Sequence, residues 1–307
     1  MGTNKRMGVS QRTKGSPTHQ DVLIDATRAL GAMMEPHEAR LQAELLLANA
    51  LEMTRAMMLA CLSESIAPDV AVRYAAIVER RVQHEPLAYI LGHQEFYGLD
   101  FVVDARVLIP RHETETLVQL ALEHARNFPS LTIVDVGTGS GVLALTLAHH
   151  LPQARVIALD QSRDALDVAQ LNAKRLGLES RVEFLQSDLL SAFAGSFDVL
   201  VANLPYIPAA RFDQLPIQVR AFEPRAALDG GEDGLAVIRR LLEQLPARAN
   251  RNAVALLEIS EEQGEDAMQA THRILPHAVV AVHQDLEKLD RVIEIQMTAD
   301  RRRLTAV

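Results

Sequence analysis

The sequence predicts an α/β fold in which a doubly wound, mostly parallel sheet follows a helical region. Three observations support this prediction. Short β-branched runs alternate with helical patterns between residues 131 and 295, as is typical of βαβ units. A glycine-rich turn at 137–141 joins the first of these strands to a helix. Residues 21–85, by contrast, show only helical periodicity.

Residues 21–85 are predicted to form a small helical bundle. Pro36 and Pro68 each stand at the start of an apolar helical pattern, where proline is tolerated because first-turn N–H groups have no partner within the helix. The apolar stripes indicate a core and not a catalytic site. We assign residues 19–86 to a helical substrate-recognition domain, and we interpret the polar residues 1–18 as a disordered tail.

Residues 87–112 are predicted to link the two parts of the chain through a β-hairpin. Aromatic and β-branched runs flank Gly98, which is a hairpin signal. Pro110 ends the next apolar run, and a helical pattern begins near Glu113. Residues 113–307 are therefore predicted to form the α/β domain.

The composition is that of a soluble globular protein, with 48% hydrophobic and 23% charged residues among 307. No apolar run approaches the roughly 20 residues that span a bilayer, and the N-terminus lacks the apolar segment of a secretory signal. The single Cys61 excludes an intramolecular disulfide and a cysteine-based metal cluster. We expect a cytoplasmic protein with no metal site and no membrane contact.

The charge argues against general nucleic-acid binding. The formal net charge is −9, and residues 1–18 carry four basic residues and no acid, which leaves about −13 for the rest. Because affinity for duplex DNA depends on neutralising phosphates, so acidic a protein is a poor general binder. We expect no direct nucleic-acid partner.

The glycine-rich turn at 137–141 is predicted to bind a nucleotide-containing cofactor. Glycines allow a tight turn and a close approach of the backbone to a ligand, and the following helix offers free N–H groups. A dinucleotide site would have a third glycine where this chain has Val142. The candidate cofactor-binding residues of the turn are Gly137, Thr138, Gly139, Ser140 and Gly141.

Acidic residues follow the next two predicted strands. Asp160 ends the second strand, 19 residues after Gly141, and a carboxylate there can accept both hydroxyls of an adenosine ribose. Asp188 follows the third strand and is predicted to border the adenine, with Leu189 packing on it. All three side chains are assigned to the cofactor site.

The fourth predicted strand leads into the segment Asn203-Leu204-Pro205-Tyr206. The Asn203 oxygen can accept one N–H of a planar amide or amine, and the main-chain carbonyl of Leu204 can accept another. Pro205 stiffens the turn, and Tyr206 can lie against the planar group. These four residues are the candidate catalytic residues, and Asn203 is also expected to border the cofactor. Asn and Pro are ordinary turn residues, so the interpretation depends on the glycine turn upstream.

Taken together, these motifs resemble the S-adenosylmethionine-dependent methyltransferases that act on planar nitrogens. From about residue 21 to residue 297 the chain is similar to the peptide chain release factor glutamine methyltransferase family (HemK/PrmC). The segments that resemble this family are residues 85–92, 95–98, 107–111, 113–115, 135–141, 203–208, 222–225 and 227–234. The family usually has Asn-Pro-Pro-Tyr, and Leu204 replaces the first Pro, although the main-chain carbonyl remains.

The resemblance implies a seven-stranded, Rossmann-like class I methyltransferase domain. It also implies S-adenosyl-L-methionine as cofactor, S-adenosyl-L-homocysteine as product, and a glutamine in the Gly-Gly-Gln motif of peptide chain release factors as substrate. Two alternatives stay open. One is a methyltransferase for a ribosomal-protein glutamine or a nucleic-acid adenine. The other is a non-catalytic, cofactor-binding partner of translation factors.

Overall fold

The computed structural model describes residues 16–126 and 130–298, and the chain divides into two compact units between Leu91 and Gly92. Of the tail predicted for residues 1–18, residues 1–15 lie outside the described residues. Thr18, which the prediction places in that tail, is the N-cap of the first helix and accepts a hydrogen bond from the Asp21 N–H. The finer division into four segments stays a prediction.

The first unit is helical, as predicted. Its helices are α1 (His19–Leu30), α2 (Pro36–Ala50), α3 (Arg55–Ala60), α4 (Pro68–Val82) and α5 (Leu87–Leu91). Pro36 and Pro68 occupy the first turns of α2 and α4. The core of this unit includes the fully buried side chains of Leu23, Leu46 and Met58. Among the described residues of the whole chain, no helix is long and apolar enough to cross a membrane.

The second unit begins with the predicted hairpin, which is confirmed. Strands β1 (His93–Phe96) and β2 (Leu99–Val102) pair antiparallel. The hairpin is attached to the α/β part of this unit by Asn172, whose side chain bonds both the N–H and the carbonyl of Val102 at 2.7 and 3.0 Å. The backbone of the hairpin is therefore hydrogen-bonded to helix α8 of the same unit, which carries Asn172.

A seven-stranded sheet forms the centre of the second unit and confirms the predicted α/β class. Its strands are β3 (Thr132–Val136), β4 (Arg155–Asp160), β5 (Val182–Gln186), β6 (Phe197–Ala202), β7 (Ala249–Glu258), β8 (Val279–Gln284) and β9 (Asp290–Gln296). The helices are α6 (Glu115–Ala125), α7 (Val142–His150), α8 (Arg163–Arg175), α9 (Ile217–Phe222), α10 (Ala236–Arg248) and α11 (Gly264–Ile274). Short 3-10 helices span His112–Thr114, Ala209–Gln214 and Arg225–Ala227.

The strand order explains where the candidate residues meet. The order is β5-β4-β3-β6-β7-β9-β8, in which β3 to β7 run parallel and β9 runs antiparallel to both of its neighbours. From β3 the chain first builds outward through β4 and β5, and then returns to place β6 on the other side of β3. Ligands bind at such a switch point, beyond the carboxyl ends of the strands. The predicted motifs follow β3, β4, β5 and β6, so all of them lie at this edge.

Candidate functional site

A cavity of about 450 Å³ opens at the switch point between β3 and β6, a size typical of small-molecule sites. Most of the residues predicted from the sequence line it. They are Gly137, Thr138, Gly139, Ser140, Asp160, Asp188, Leu189, Asn203, Leu204 and Pro205. Gly141 and Tyr206 are not among the lining residues. The fold thus brings Gly137 and Pro205, which are 68 positions apart in the sequence, to one site.

The glycine turn uses its glycines in two different ways. Gly139 has φ +55°, and a Cβ built on it would meet only the Gly137 carbonyl oxygen, at 4.0 Å, so the turn leaves open space beside the cavity. Gly141 has φ +86°, and its Cβ would lie 3.0 Å from Leu145 and 3.2 Å from Ala169. Gly141 therefore permits close packing against α7 and α8, whereas Gly139 leaves room for a ligand.

Asp135, at the end of β3, connects the strand to the turn and to α7. Its Oδ2 accepts hydrogen bonds from the Thr138 hydroxyl at 2.6 Å and from the Ala144 N–H at 3.1 Å. The carboxyl is completely buried, and burial raises its pKa to about 7. Its Oδ1 has no hydrogen-bond partner among the described residues. Asp135 thus stabilises the conformation of the glycine turn through Thr138, and it does not line the cavity.

The Asp160 carboxylate lies directly beside the glycine turn. Its Oδ2 accepts the Gly139 N–H at 2.9 Å, and its Oδ1 accepts the Ser162 N–H at 2.8 Å. Burial raises the pKa of this carboxyl, while the backbone donors oppose that shift. Each oxygen keeps acceptor capacity beyond these bonds, so the side chain is held in place and can still accept ligand hydroxyls.

Asp188 and Leu189, which follow β5, also line the cavity. Leu189 is nearly buried and has φ +52°, and Asp188 pairs with the Arg240 guanidinium at 2.5 Å. Both members of this ion pair are about half exposed, at 52% each. Arg240, on α10, lines the same cavity and was not identified from the sequence.

Asn203 is held by a residue that the sequence did not indicate. Its Nδ2 donates to the hydroxyl oxygen of the buried Thr114 at 3.0 Å. Among the described residues, neither the Asn203 Oδ1 nor the Leu204 carbonyl oxygen accepts a hydrogen bond. The turn thus presents two unpaired acceptors, the number that a planar NH₂ group needs.

The glycine-rich segment at 227–234 packs directly on this turn. The Ile207 N–H donates to the Leu228 carbonyl at 3.0 Å, and the Gly230 N–H donates to the Ile207 carbonyl at 2.9 Å. Gly234 has φ +80°, and a Cβ there would lie 2.3 Å from the Tyr206 carbonyl oxygen. The glycines are required because the two backbones approach so closely.

Two of the segments quoted from the sequence are joined by an ion pair. Arg111 binds the buried Glu223 carboxylate, whose other oxygen accepts the Ile109 N–H at 3.2 Å. Arg111 also lines the cavity. Their separation of 112 residues explains why spacing alone did not pair them.

Comparisons with known proteins agree with this geometry. The family model described as Methyltransferase small domain matches residues 113–223, and the PrmC N-terminal domain model matches residues 21–92. A release factor glutamine methyltransferase of Moorella thermoacetica is 48% identical over 81% of this chain and 87% of its own length. Its counterpart from Geobacter sulfurreducens is 39% identical over 88% and 94%.

The chain belongs to the release factor glutamine methyltransferase family. Among solved structures, the hMettl16 catalytic domain, in complex with MAT2A 3'UTR hairpin 6, shares the fold. Its TM-score is 0.55 and its identity 14%, over 76% of this chain and 84% of that one. The predicted family, fold class and enzyme class are confirmed.

The cofactor of a methyltransferase with this fold is S-adenosyl-L-methionine, and the cavity residues of this family member fit it. The space beside Gly139 accommodates a ligand against the turn. The fixed Asp160 carboxylate offers acceptors for ribose hydroxyls, and Leu189 offers an apolar surface for a base. The individual contacts stay predictions.

Proposed function

We propose that this protein transfers a methyl group to the side-chain amide nitrogen of a glutamine in a peptide chain release factor. S-adenosyl-L-methionine supplies the reactive methyl group as a sulfonium, so the difficult chemistry belongs to the cofactor. The observation that carries the proposal is the pair of unpaired acceptors, Asn203 Oδ1 and the Leu204 carbonyl, at the edge of the cofactor cavity.

The two acceptors suit an amide substrate for a chemical reason. An amide nitrogen is a poor nucleophile because its lone pair is delocalised into the carbonyl. Hydrogen bonds from both of its N–H groups, one to Asn203 and one to Leu204, increase the electron density on nitrogen and fix its orientation. Holding the nitrogen in line with the methyl group accounts for most of the expected rate enhancement.

The remaining candidate residues are proposed to position the substrate amide and the cofactor. Pro205 restricts the turn that carries both acceptors, and we propose that Tyr206 flanks the substrate amide. We propose Asp160 for the ribose hydroxyls, Asp188 and Leu189 for the adenine, and the glycine turn for the rest of the cofactor.

The helical unit is proposed to recognise the protein substrate. Met57 on α3 and Val72 on α4 are apolar side chains with 59% and 70% of their surface exposed, so both are accessible to a protein partner. Met57→Ser with Val72→Ser is expected to raise KM for the release factor without changing cofactor affinity. We also propose a cytoplasmic location, since the substrate is a translation factor, and no direct nucleic-acid partner, since the formal net charge is −9.

Methyl transfer from labelled S-adenosyl-L-methionine to three purified substrates tests the function. The substrates are a release factor, a ribosomal-protein mixture and adenine-containing DNA. We expect label only in the release factor, on one glutamine located by mass spectrometry, and no label when that glutamine is replaced by Asn. Label in DNA or ribosomal protein would show a different substrate class. Cofactor binding without any transfer would indicate a non-catalytic protein.

A further inference from the structure

A buried carboxylate lies behind the candidate catalytic turn. Glu258 ends β7, and its neighbour Leu257 pairs with Ala202, the last residue of β6. Glu258 is only 1% exposed. Keeping an acid in such a place costs free energy, and an apolar residue of similar volume would often be at least as stabilising. Fold stability alone therefore does not explain its presence.

The contacts of Glu258 lead to the catalytic turn. The Tyr206 hydroxyl donates to Oε1 at 3.2 Å, and Oε2 has no hydrogen-bond partner among the described residues. Burial raises the pKa of Glu258 to about 7, and the Thr114 hydroxyl opposes that shift. Thr114 is the residue that accepts the Asn203 amide. Burial and the Glu258 charge also raise the pKa of Tyr206, which keeps its phenol protonated as a donor.

The charged and titratable groups that face Glu258 come from three elements. Tyr206 lies on the turn after β6, Arg291 on β9, and Glu113 on the 3-10 helix before α6. Arg291 favours the ionised form of Glu258, but it also pairs with Asp285 at 3.0 Å. Glu113 favours the protonated form.

We propose that Glu258 is a positioning residue for the methyl transfer. Its carboxylate accepts the Tyr206 hydroxyl and so fixes Tyr206, which stands three residues after Asn203 in the same turn. This inference rests on the proposed function. An ionised Glu258 accepts the Tyr206 hydroxyl in a charge-assisted hydrogen bond, which is stronger than the bond that a protonated Glu258 accepts. The rate constant kcat is therefore expected to rise as the pH rises through about 7.

The test compares the parental enzyme with Glu258→Gln, which keeps the shape and removes the charge. The rate constant kcat and KM for the release factor are measured between about pH 6 and about pH 9, with cofactor affinity from calorimetry as a check on folding. We expect kcat at least about 10-fold lower, cofactor affinity within about twofold, and no rise of kcat near neutral pH.

Glu294→Gln is the matched control. Glu294 is another buried carboxylate, on β9, and its partners are His124 and His283 at 3.2 and 2.7 Å. Its replacement is expected to change stability and to leave kcat and its pH profile as in the parent. The same profile in both variants would remove any special role for Glu258.

A second variant keeps the inference testable if Glu258→Gln does not fold. Tyr206→Phe removes one donor that favours ionised Glu258, so the rise in kcat should move to higher pH. If kcat of Tyr206→Phe rises at the same pH as kcat of the parent, Glu258 has no positioning role. The same conclusion follows if Glu258→Gln has the parental kcat and pH profile. If the parental enzyme transfers no methyl group to the release factor, the proposed function fails and this inference fails with it.

Discussion

The side-chain amide of Asn203 donates a hydrogen bond to the hydroxyl oxygen of Thr114, across 3.0 Å and 89 positions of sequence. Because the NH₂ group is engaged, the amide oxygen is the free end of the side chain. Thr114 is buried and lies in the 3-10 helix His112–Thr114. A residue before the first strand of the sheet therefore sets the orientation of a residue after the fourth.

Asn203→Ala is expected to lower kcat by about 10²-fold, because it removes a contact that orients the nucleophile. Binding of the release factor should weaken by only about 1–3 kcal/mol. Steady-state kinetics with calorimetric cofactor binding measures both effects. Thr114→Val keeps the oxygen of Asn203 and removes only its anchor, so it should show a smaller loss. Parental kcat in a folded Asn203→Ala enzyme would contradict the assignment.

Asp160→Asn is expected to weaken binding of S-adenosyl-L-methionine by about 1.5–3 kcal/mol, as is typical for loss of a charged acceptor. Asparagine keeps the volume of the side chain but only one of the two acceptors that hold Gly139 and Ser162, so urea unfolding of the variant is measured as a check on the turn. Isothermal titration calorimetry measures the change. Asp164→Asn, an exposed position in the first turn of α8, is the control and should bind as the parent does.

Gly234→Ala is expected to destabilise the protein and reduce activity, because its Cβ would lie 2.3 Å from the Tyr206 carbonyl oxygen. Gly177→Ala is the control, since Gly177 has a similar positive φ, +69°, and no heavy atom within 4 Å of the added Cβ. Both variants incur the left-handed backbone cost of about 1–2 kcal/mol. Gly234→Ala should lose about 1–3 kcal/mol more in urea unfolding. Equal losses would mean that the close approach is unimportant.

Leu204→Ala is expected to lower the unfolding free energy by about 2–5 kcal/mol, the range for a buried leucine. Leu204 is 4% exposed, and its Cδ2 would lie 3.0 Å from a Cβ on Gly137. The side chain thus packs the catalytic turn against the glycine turn. Leu286→Ala, at a side chain 92% exposed, should change stability by less than about 0.5 kcal/mol. Similar losses in both variants would show that Leu204 is not packed.

Asp135→Asn is expected to alter how stability depends on pH. The folded protein holds the Asp135 proton up to about pH 7, whereas an ordinary aspartate loses it near 3.8. Between these values only the folded state is protonated, so the parental unfolding free energy falls as pH rises, by about 1.4 kcal/mol per pH unit relative to Asp135→Asn. Urea unfolding at a series of pH values measures the difference. Parallel stability curves would disprove it.

The sequence by itself determined the elements whose signals are local. Alternation of β-branched runs with helical patterns predicted the α/β class. The glycine turn, Asp160 and the Asn203 turn each stand directly after a strand, and parallel strands place their carboxyl ends at one edge. The same rule applies to Glu258, an acid at the end of β7, and could have identified it. Several short elements were missed, among them α5, the 3-10 helices Ala209–Gln214 and Arg225–Ala227, α9 and β8. Helix α9 lies between Pro216 and Pro224 and is too short for periodicity, and β8 is a half-exposed edge strand.

Only the tertiary structure decided which side chains meet. Thr114 carries no signal in the sequence that links it to Asn203, and Arg111 and Glu223 become partners only after the segments between them have folded. Such contacts depend on strand order and on helix packing, which bring together residues about a hundred positions apart. Local propensity acts over a few residues along the chain. It specifies the strand that ends at Ala202, but not the threonine that orients the asparagine beyond it.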